Sequence, residues 1–255
     1  MEIVRYLALN RFGKQADLFA SINRITPSYN LPRTIRRLKN YGLIEPLLGD
    51  ANVHLGYRLT KKGLLFADKR LLIPEAALKA RPAFRSQYDH DRVVNEARHI
   101  LCGSQAVSDF VTEAELRAEL GRRWNNVPSG SNRDWKVPDA IFKLTTKRGT
   151  LRIGLEVELS QKAKARYEKI LKTVLISRQF EIVFFLCKNE KLLQLIRREV
   201  AEVRAKNATV KLSQRSNGIY FTTLDSLRTL KNDAPWSGEE SRFTIREIEA
   251  SFTKK

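Results

Sequence analysis

The chain has 255 residues, with 47 Lys and Arg against 28 Asp and Glu, a formal net charge of +19. Its composition, 42% hydrophobic, is enough for a real core, and no apolar run approaches the ~18 residues a helical membrane span needs. A charge excess this large, spread along the whole chain, points to a polyanionic partner, chiefly nucleic acid. A membrane surface fits less well, because no basic amphipathic helix carries a Trp/Phe face.

The opening stretch, MEIVRYLALNRFGKQ, lacks the apolar core and cleavage site of a secretory signal, so a cytoplasmic location is expected. Cys102 and Cys187 each lie in an apolar segment and read as small buried thiols. The three histidines show no paired spacing, which argues against a zinc site.

Residues 1–72 read as three helices followed by a hairpin and a closing helix. IVRYLALNRF places Ile3, Leu7 and Phe12 near helical spacing, and KQADLFASI carries Ala16, Phe19 and Ala20. SYNLPRTIRRLKNYGLI starts with a proline in its first turn and repeats Leu31, Ile35 and Leu38, with Gly42 as the C-terminal stop. Two short strands follow around Gly49-Asp50, then a helix from about Lys61. That order is a winged helix-turn-helix. Its third helix would present Arg33, Arg36, Arg37 and Lys39 to the major groove, and its wing would carry His54 and Arg58 towards phosphates.

Residues 73–87, with two prolines, read as a linker. A second domain is expected over 88–232. HDRVVNEARHILCGS gives a helix with Val93, Val94, Ala97, Ile100 and Leu101 on one side. TEAELRAELGRRW reads as another helix, opened by Thr112 as N-cap with Glu115 three residues on. NNVPSGSNRDW reads as a polar loop bracketed by Trp124 and Trp135, where aromatics beside bases could stack on unpaired nucleotides. Strands KVPDAIFKLTT, TLRIGLEVEL and EIVFFLC come next, with a helix over 161–176 between the last two. An amphipathic helix (NEKLLQLIRREVAEVRAKN) and a final strand and turn (NGIYFTTLDSL) complete the domain, leaving 233–255 as a polar tail. The fold class is therefore α+β or α/β, built on a mixed sheet.

The chemistry concentrates at RIGLEVELSQKAKARYEKIL. Alternation puts Leu151, Ile153, Leu155, Val157 and Leu159 on one face of a strand, and Glu156 with Glu158 on the other. If KVPDAIFKL and TLRIGLEVEL pair through the turn at 147–149, Asp139 comes to lie beside Glu156. Convergent carboxylates suit Mg²⁺ or Mn²⁺, which keep water and phosphate oxygens as their remaining ligands. Such an ion would offset the repulsion between the acids and activate water on a phosphodiester. Lys162, Arg166 and Lys169 then form one helical stripe, with Lys162 near the acids and Arg166 and Lys169 placed to hold phosphates. The alternative is an edge strand whose acids face solvent and are neutralised by the bases behind them.

VPDAIFKL followed by GLEVELSQKAKARYEKIL resembles the PD-(D/E)xK nuclease core: a Pro-Asp on one strand, an acid on the next and a lysine nearby. The lysine usually found two residues after the acid is Glu158 here, and Lys162 matches the variant in which it comes from the following helix. YDHDRVVNEARHIL, EAELR, VPDA and EVELS-x-K, in that order behind a winged helix, are similar to the replication-relaxation proteins and MobC-type plasmid mobilisation relaxases, over roughly residues 1–190. The resemblance implies a restriction-endonuclease-like domain that nicks double-stranded plasmid DNA at an origin of transfer or replication, with an accessory relaxosome protein and a coupling protein as partners. It implies site positions at His90, Glu96, Asp139, Glu156 and Lys162; the metal ligands expected here are Glu96, Asp139 and Glu156, with Glu158 either an extra ligand or the sign of a lost active site. His90 itself falls on the apolar face of its helix, where a buried histidine bonded to backbone is the competing reading. Metal-activated water is the expected nucleophile, because Tyr167 has the apolar company of a core residue. Two rivals remain: a DNA-binding replication or transcription regulator with an inactive nuclease-like domain, and a double-strand-cutting restriction or transposon-end endonuclease.

Overall fold

The computed structural model describes residues 2–23, 30–48, 53–71, 88–113, 115–116, 137–168, 181–206 and 218–253. It is a mixed α+β structure. The chain forms two compact units, one made of the described residues of Met1–Asp91 and Ala114–Val127, the other of those of Arg92–Glu113 and Pro128–Lys255.

The first unit runs α1 (Glu2–Asn10), α2 (Gln15–Asn23), α3 (Leu31–Asn40), β1 (Ile44–Leu48), β2 (His54–Leu59) and α4 (Lys61–Leu71). Ile3, Val4, Leu7, Ala8, Leu18, Leu31, Ile35 and Leu59 close its core. On α2 the inward residue is Leu18, while Phe19 is 49% exposed, so Ala16 and Phe19 do not mark the buried face. Asn30 caps α3 by accepting the Arg33 N–H at 3.1 Å, and Pro32 sits in the first turn where no donor is needed. Gly42 stops the helix with φ 66°. β1 and β2 pair antiparallel. Gly56 lets β2 pass the chain at Gly13, whose carbonyl oxygen would lie 2.6 Å from an added Cβ.

The second unit is a seven-stranded mixed sheet with helices on both faces. Its strands are β3 (Val107–Thr112), β4 (Ala140–Thr146), β5 (Gly149–Glu158), β6 (Ile182–Cys187), β7 (Ile219–Thr223), β8 (Trp236–Ser237) and β9 (Arg242–Phe243), in that spatial order. β5–β6 and β6–β7 are parallel and the other pairs antiparallel. Its helices include α5 (Tyr88–Leu101), of which the residues from Arg92 on belong to this unit, α6 (Glu190–Lys206), α7 (Leu224–Leu230) and α8 (Ile245–Thr253). On one face Val93, Ala97 and Leu101 of α5, Leu224 and Leu227 of α7 and Ile245 of α8 pack on Phe142, Ile153, Leu155, Val157, Phe184 and Leu186. On the other, Tyr167 with Leu193, Ile196, Val200 and Val203 of α6 packs on Val183, Phe185, Cys187 and Phe221.

Several expectations need correction. Residues 107–112 form β3, an unexpected strand that pairs with β4; its last residue, Thr112, directly precedes helical residue 113 and so stands where the helix start is expected. The bulge in that strand, with Asp109 at φ 50°, breaks the alternation that would announce it. Residues 224–230 are a helix, not a turn, with Thr223 as N-cap accepting the Ser226 N–H. The stretch after 232 is no loose tail: Ala234, Trp236 and Ile245 are fully buried, and Trp236 stacks on Phe184 with ring centroids 4.1 Å apart. Cys102 is exposed, whereas Cys187 is buried. The linker 73–87, Trp124 and Trp135 lie outside the described residues.

Candidate active site

β5 is an interior strand between β4 and β6, so both of its edges are paired, and packed layers cover both of its faces. The edge-strand alternative therefore does not hold. Glu156 is 1% exposed and Glu158 0%. They stand beside Phe185 and Cys187 in the parallel register, on the face covered by α6 and Tyr167. Two glutamates on the inner face of a packed layer are costly unless each charge is met.

Lys162 meets one of them. Its Nζ lies 2.6 Å from Glu158 Oε1, and only 17% of its side chain reaches solvent. The chain bends at 159–160 and becomes helical only at 164, so Lys162 precedes the helix. The stripe of Lys162, Arg166 and Lys169 is thus not formed as expected, since its first member is not on the helix. Arg166 is exposed and Lys169 is outside the described residues. Tyr167 fixes the turn from within: it is fully buried, and its Oη accepts the Lys162 backbone N–H at 3.2 Å. Burial pushes its hydroxyl up to about 12, aided by the nearby Glu158 charge. The same two causes, in the same order, raise the Cys187 thiol to about 12. Both are neutral core groups, and Tyr167 is no ready nucleophile.

Asp139 enters from the start of β4. The pairing of Ala140 with Leu155, continued by one residue, sets Asp139 opposite Glu156. Its Oδ2 accepts the Val157 N–H at 2.7 Å, which extends the ladder by a side chain where the β4 backbone turns away. Its own carbonyl accepts the Glu113 N–H at 2.8 Å. Asp139 is 7% exposed.

The remaining expected members stand apart. Glu96 is gripped by Arg228 of α7, whose Nε and Nη2 donate to its two oxygens at 2.7 and 2.8 Å. That hydrogen bond, opposed by desolvation and aided by Arg228, Arg92 and Lys231 charges, holds the Glu96 carboxyl below its ordinary value. Glu96 thus works on the α5–α7 side of the sheet, away from the face that carries Glu156 and Glu158. His90 belongs to the first unit, is 30% exposed and lies 3.7 Å from Asp91 Oδ1, so it does not point into the core as its helical spacing suggests. Among the described residues no three of His, Cys, Asp and Glu gather as a ready metal cage. Arg228 has no signal in the sequence, since its partner lies 132 residues away.

The first unit supplies a basic surface. Arg33, Arg36, Arg37 and Lys39 of α3 are all exposed, and the helix holds no acid. Arg58 differs: its Nε donates to Glu45 at 2.8 Å, which neutralises it. His54 is exposed and packs edge-on to Tyr57 at 4.8 Å.

No family model, curated protein or solved structure matches the chain. The site must be judged on its own chemistry. For a divalent cation, Asp139 and Glu156 are the right donors in the right number, because Mg²⁺ takes one or two carboxylates and leaves its other positions to water and phosphate. The donor set therefore fits such an ion, with Glu158 next along the same face.

Proposed function

We propose that the chain is a metal-dependent DNA endonuclease that nicks duplex plasmid DNA at an origin of transfer or replication. In this reading the first unit is a winged helix-turn-helix and the second a PD-(D/E)xK-type nuclease domain. The observation that carries it is the register that sets Asp139 opposite Glu156 at adjoining ends of β4 and β5, with Glu158 two residues along and paired to Lys162 from beyond the strand. The order of three helices and a two-stranded hairpin, with an all-basic exposed α3, supports duplex binding.

Asp139 and Glu156 would hold the divalent ion, which when bound supplies an activated water and relieves charge on the phosphodiester. Lys162 offers an ammonium to the phosphate that is attacked. Asp139 owes its orientation to the Val157 N–H, so the acid is set before substrate arrives. Arg33, Arg36, Arg37 and Lys39 hold the duplex by its phosphates and groove edges, and Arg166 adds a phosphate contact in the second unit.

A second reading has its own support. The Lys162 amine is spent on Glu158, and Glu156 is all but closed to solvent. Those facts favour a DNA-binding replication or transcription regulator whose nuclease-like domain does not cut. Supercoiled plasmid with and without the cognate origin, incubated with Mg²⁺ or Mn²⁺, separates the two. Nicking gives open circles that disappear in Asp139→Ala and Glu156→Ala while duplex binding persists. Binding with no product under any metal condition establishes the regulator, and linear product the double-strand cutter.

A further inference from the structure

Lys162 has two duties in the nuclease reading, and it cannot perform both at once. Its ammonium neutralises Glu158, which is wholly buried, yet the reaction needs it at a phosphate. A carboxylate so placed does not give up its cation unless another charge replaces it. The lysine, in contrast, has an exit, because 17% of its side chain already reaches solvent and its stem is flexible. Tyr167 holds the backbone at Lys162, so departure requires only the side chain to swing. The surface beside it offers one further base for a phosphate: Arg166 is exposed on the following turn, whereas Lys164, 42% exposed, is already balanced by Glu202 and Glu199 of α6. A phosphate brought there would compete with Glu158 for the Lys162 ammonium.

We propose that Lys162 is an exchangeable plug. Without nucleic acid it seals Glu158. When a duplex docks, it leaves for a backbone phosphate and opens the Glu156–Glu158 face to a divalent cation. This rests on the nuclease reading of the same residues. One side chain then links two ligands: duplex and cation bind with positive coupling, and linkage makes that coupling reciprocal. It also keeps the acids from loading metal away from substrate.

The test is Mn²⁺ affinity of the full chain, read from free Mn²⁺ by electron paramagnetic resonance, with and without a saturating short duplex. A titration of the duplex alone is subtracted. The duplex should tighten Mn²⁺ binding by about tenfold, within the range usual for coupled sites. Lys162→Met leaves every carboxylate in place, and because it could unfold the chain, Lys162→Gln, which keeps a hydrogen-bond donor beside Glu158, is measured with it. In the variants that fold, Mn²⁺ should bind equally with and without duplex. Unchanged Mn²⁺ affinity in the wild-type chain overturns the plug, as does coupling that survives in either variant. Coupling without plasmid nicking leaves the plug standing and removes the nuclease reading. A chain that binds no Mn²⁺ with or without duplex removes both.

Discussion

Each face of the seven-stranded sheet holds a glutamate against a base, under opposite conditions. On the α5–α7 face, Glu96 and Arg228 are 29% and 35% exposed and meet in a two-pronged hydrogen bond. On the α6 face, Glu158 is 0% exposed and Lys162 17%, joined by one short contact. Water screens the first pair, which ties two helices together at little risk. The second is the kind that a well-packed apolar pair often matches or betters in stability. Stability alone gives little reason for such a pair in the core; under the proposed function its place on the strand that carries Glu156 follows from use.

Breaking the two pairs should separate these roles most clearly. Lys162→Met leaves a buried carboxylate without its ammonium and should cost about 3–5 kcal/mol in urea unfolding. Glu158→Gln should cost distinctly less, because Lys162 can turn to water. Equal losses would show that burial does not rank the partners. Lys162→Met combined with Glu158→Gln should recover most of the loss.

The β4–β5 hairpin is legible in the sequence because its turn and its alternation agree: Lys147-Arg148-Gly149 reverses the chain, and Ala140 pairs with Leu155 as the apolar sets require. What alternation cannot tell is whether the acidic face meets water. A strand ending in Val-Glu with glutamates on alternate positions looks half-exposed until α6 and Tyr167 are laid across it. Those contacts come from residues beyond the strand, which periodicity does not reach. The region after 232 hides its packing for a related reason. Its strands are two residues long, too short for any period, so the signs of burial there are Trp236 and the helical spacing of Ile245, Ile248 and Phe252 on the short α8. The Thr223 cap, three residues before Ser226, is a readable helix start. Glu96 can be placed on its helix from spacing, but not with Arg228.

If the α5–α7 face is held by apolar area and its ion pair is secondary, Trp236→Ala should cost about 3–5 kcal/mol and Arg228→Met only about 1 kcal/mol. The two faces should also weaken at opposite ends of the pH scale. Glu96 titrates below its ordinary 4.5 in the folded chain, so its contribution is complete above that value and is lost as pH falls through the folded one. The gap between wild type and Arg228→Met should therefore narrow in acid. Tyr167 and Cys187 ionise near 12 when folded but near 10.0 and 9.0 when unfolded. The unfolded chain thus sheds protons first, and stability falls from about pH 9 towards 12. Tyr167→Phe should flatten that alkaline limb.

The smallest effect on stability should come from the outer surface of α3. Arg36 and Arg37 are exposed on a helix whose core contacts run through Leu31 and Ile35, so Arg36→Ala and Arg37→Ala should each change stability by within about 0.5 kcal/mol. Duplex affinity is the sensitive measure. A base that meets a phosphate should lower the slope of log affinity against log salt by about one when removed, with similar loss for all sequences. A base that reads a base edge should instead relax preference at one position and leave the slope nearly intact. Arg58→Ala is the internal control, because Glu45 already neutralises that side chain. If Arg58→Ala weakens binding as much as Arg36→Ala and Arg37→Ala do, the β1–β2 hairpin carries the duplex and α3 is only a solvated helix face.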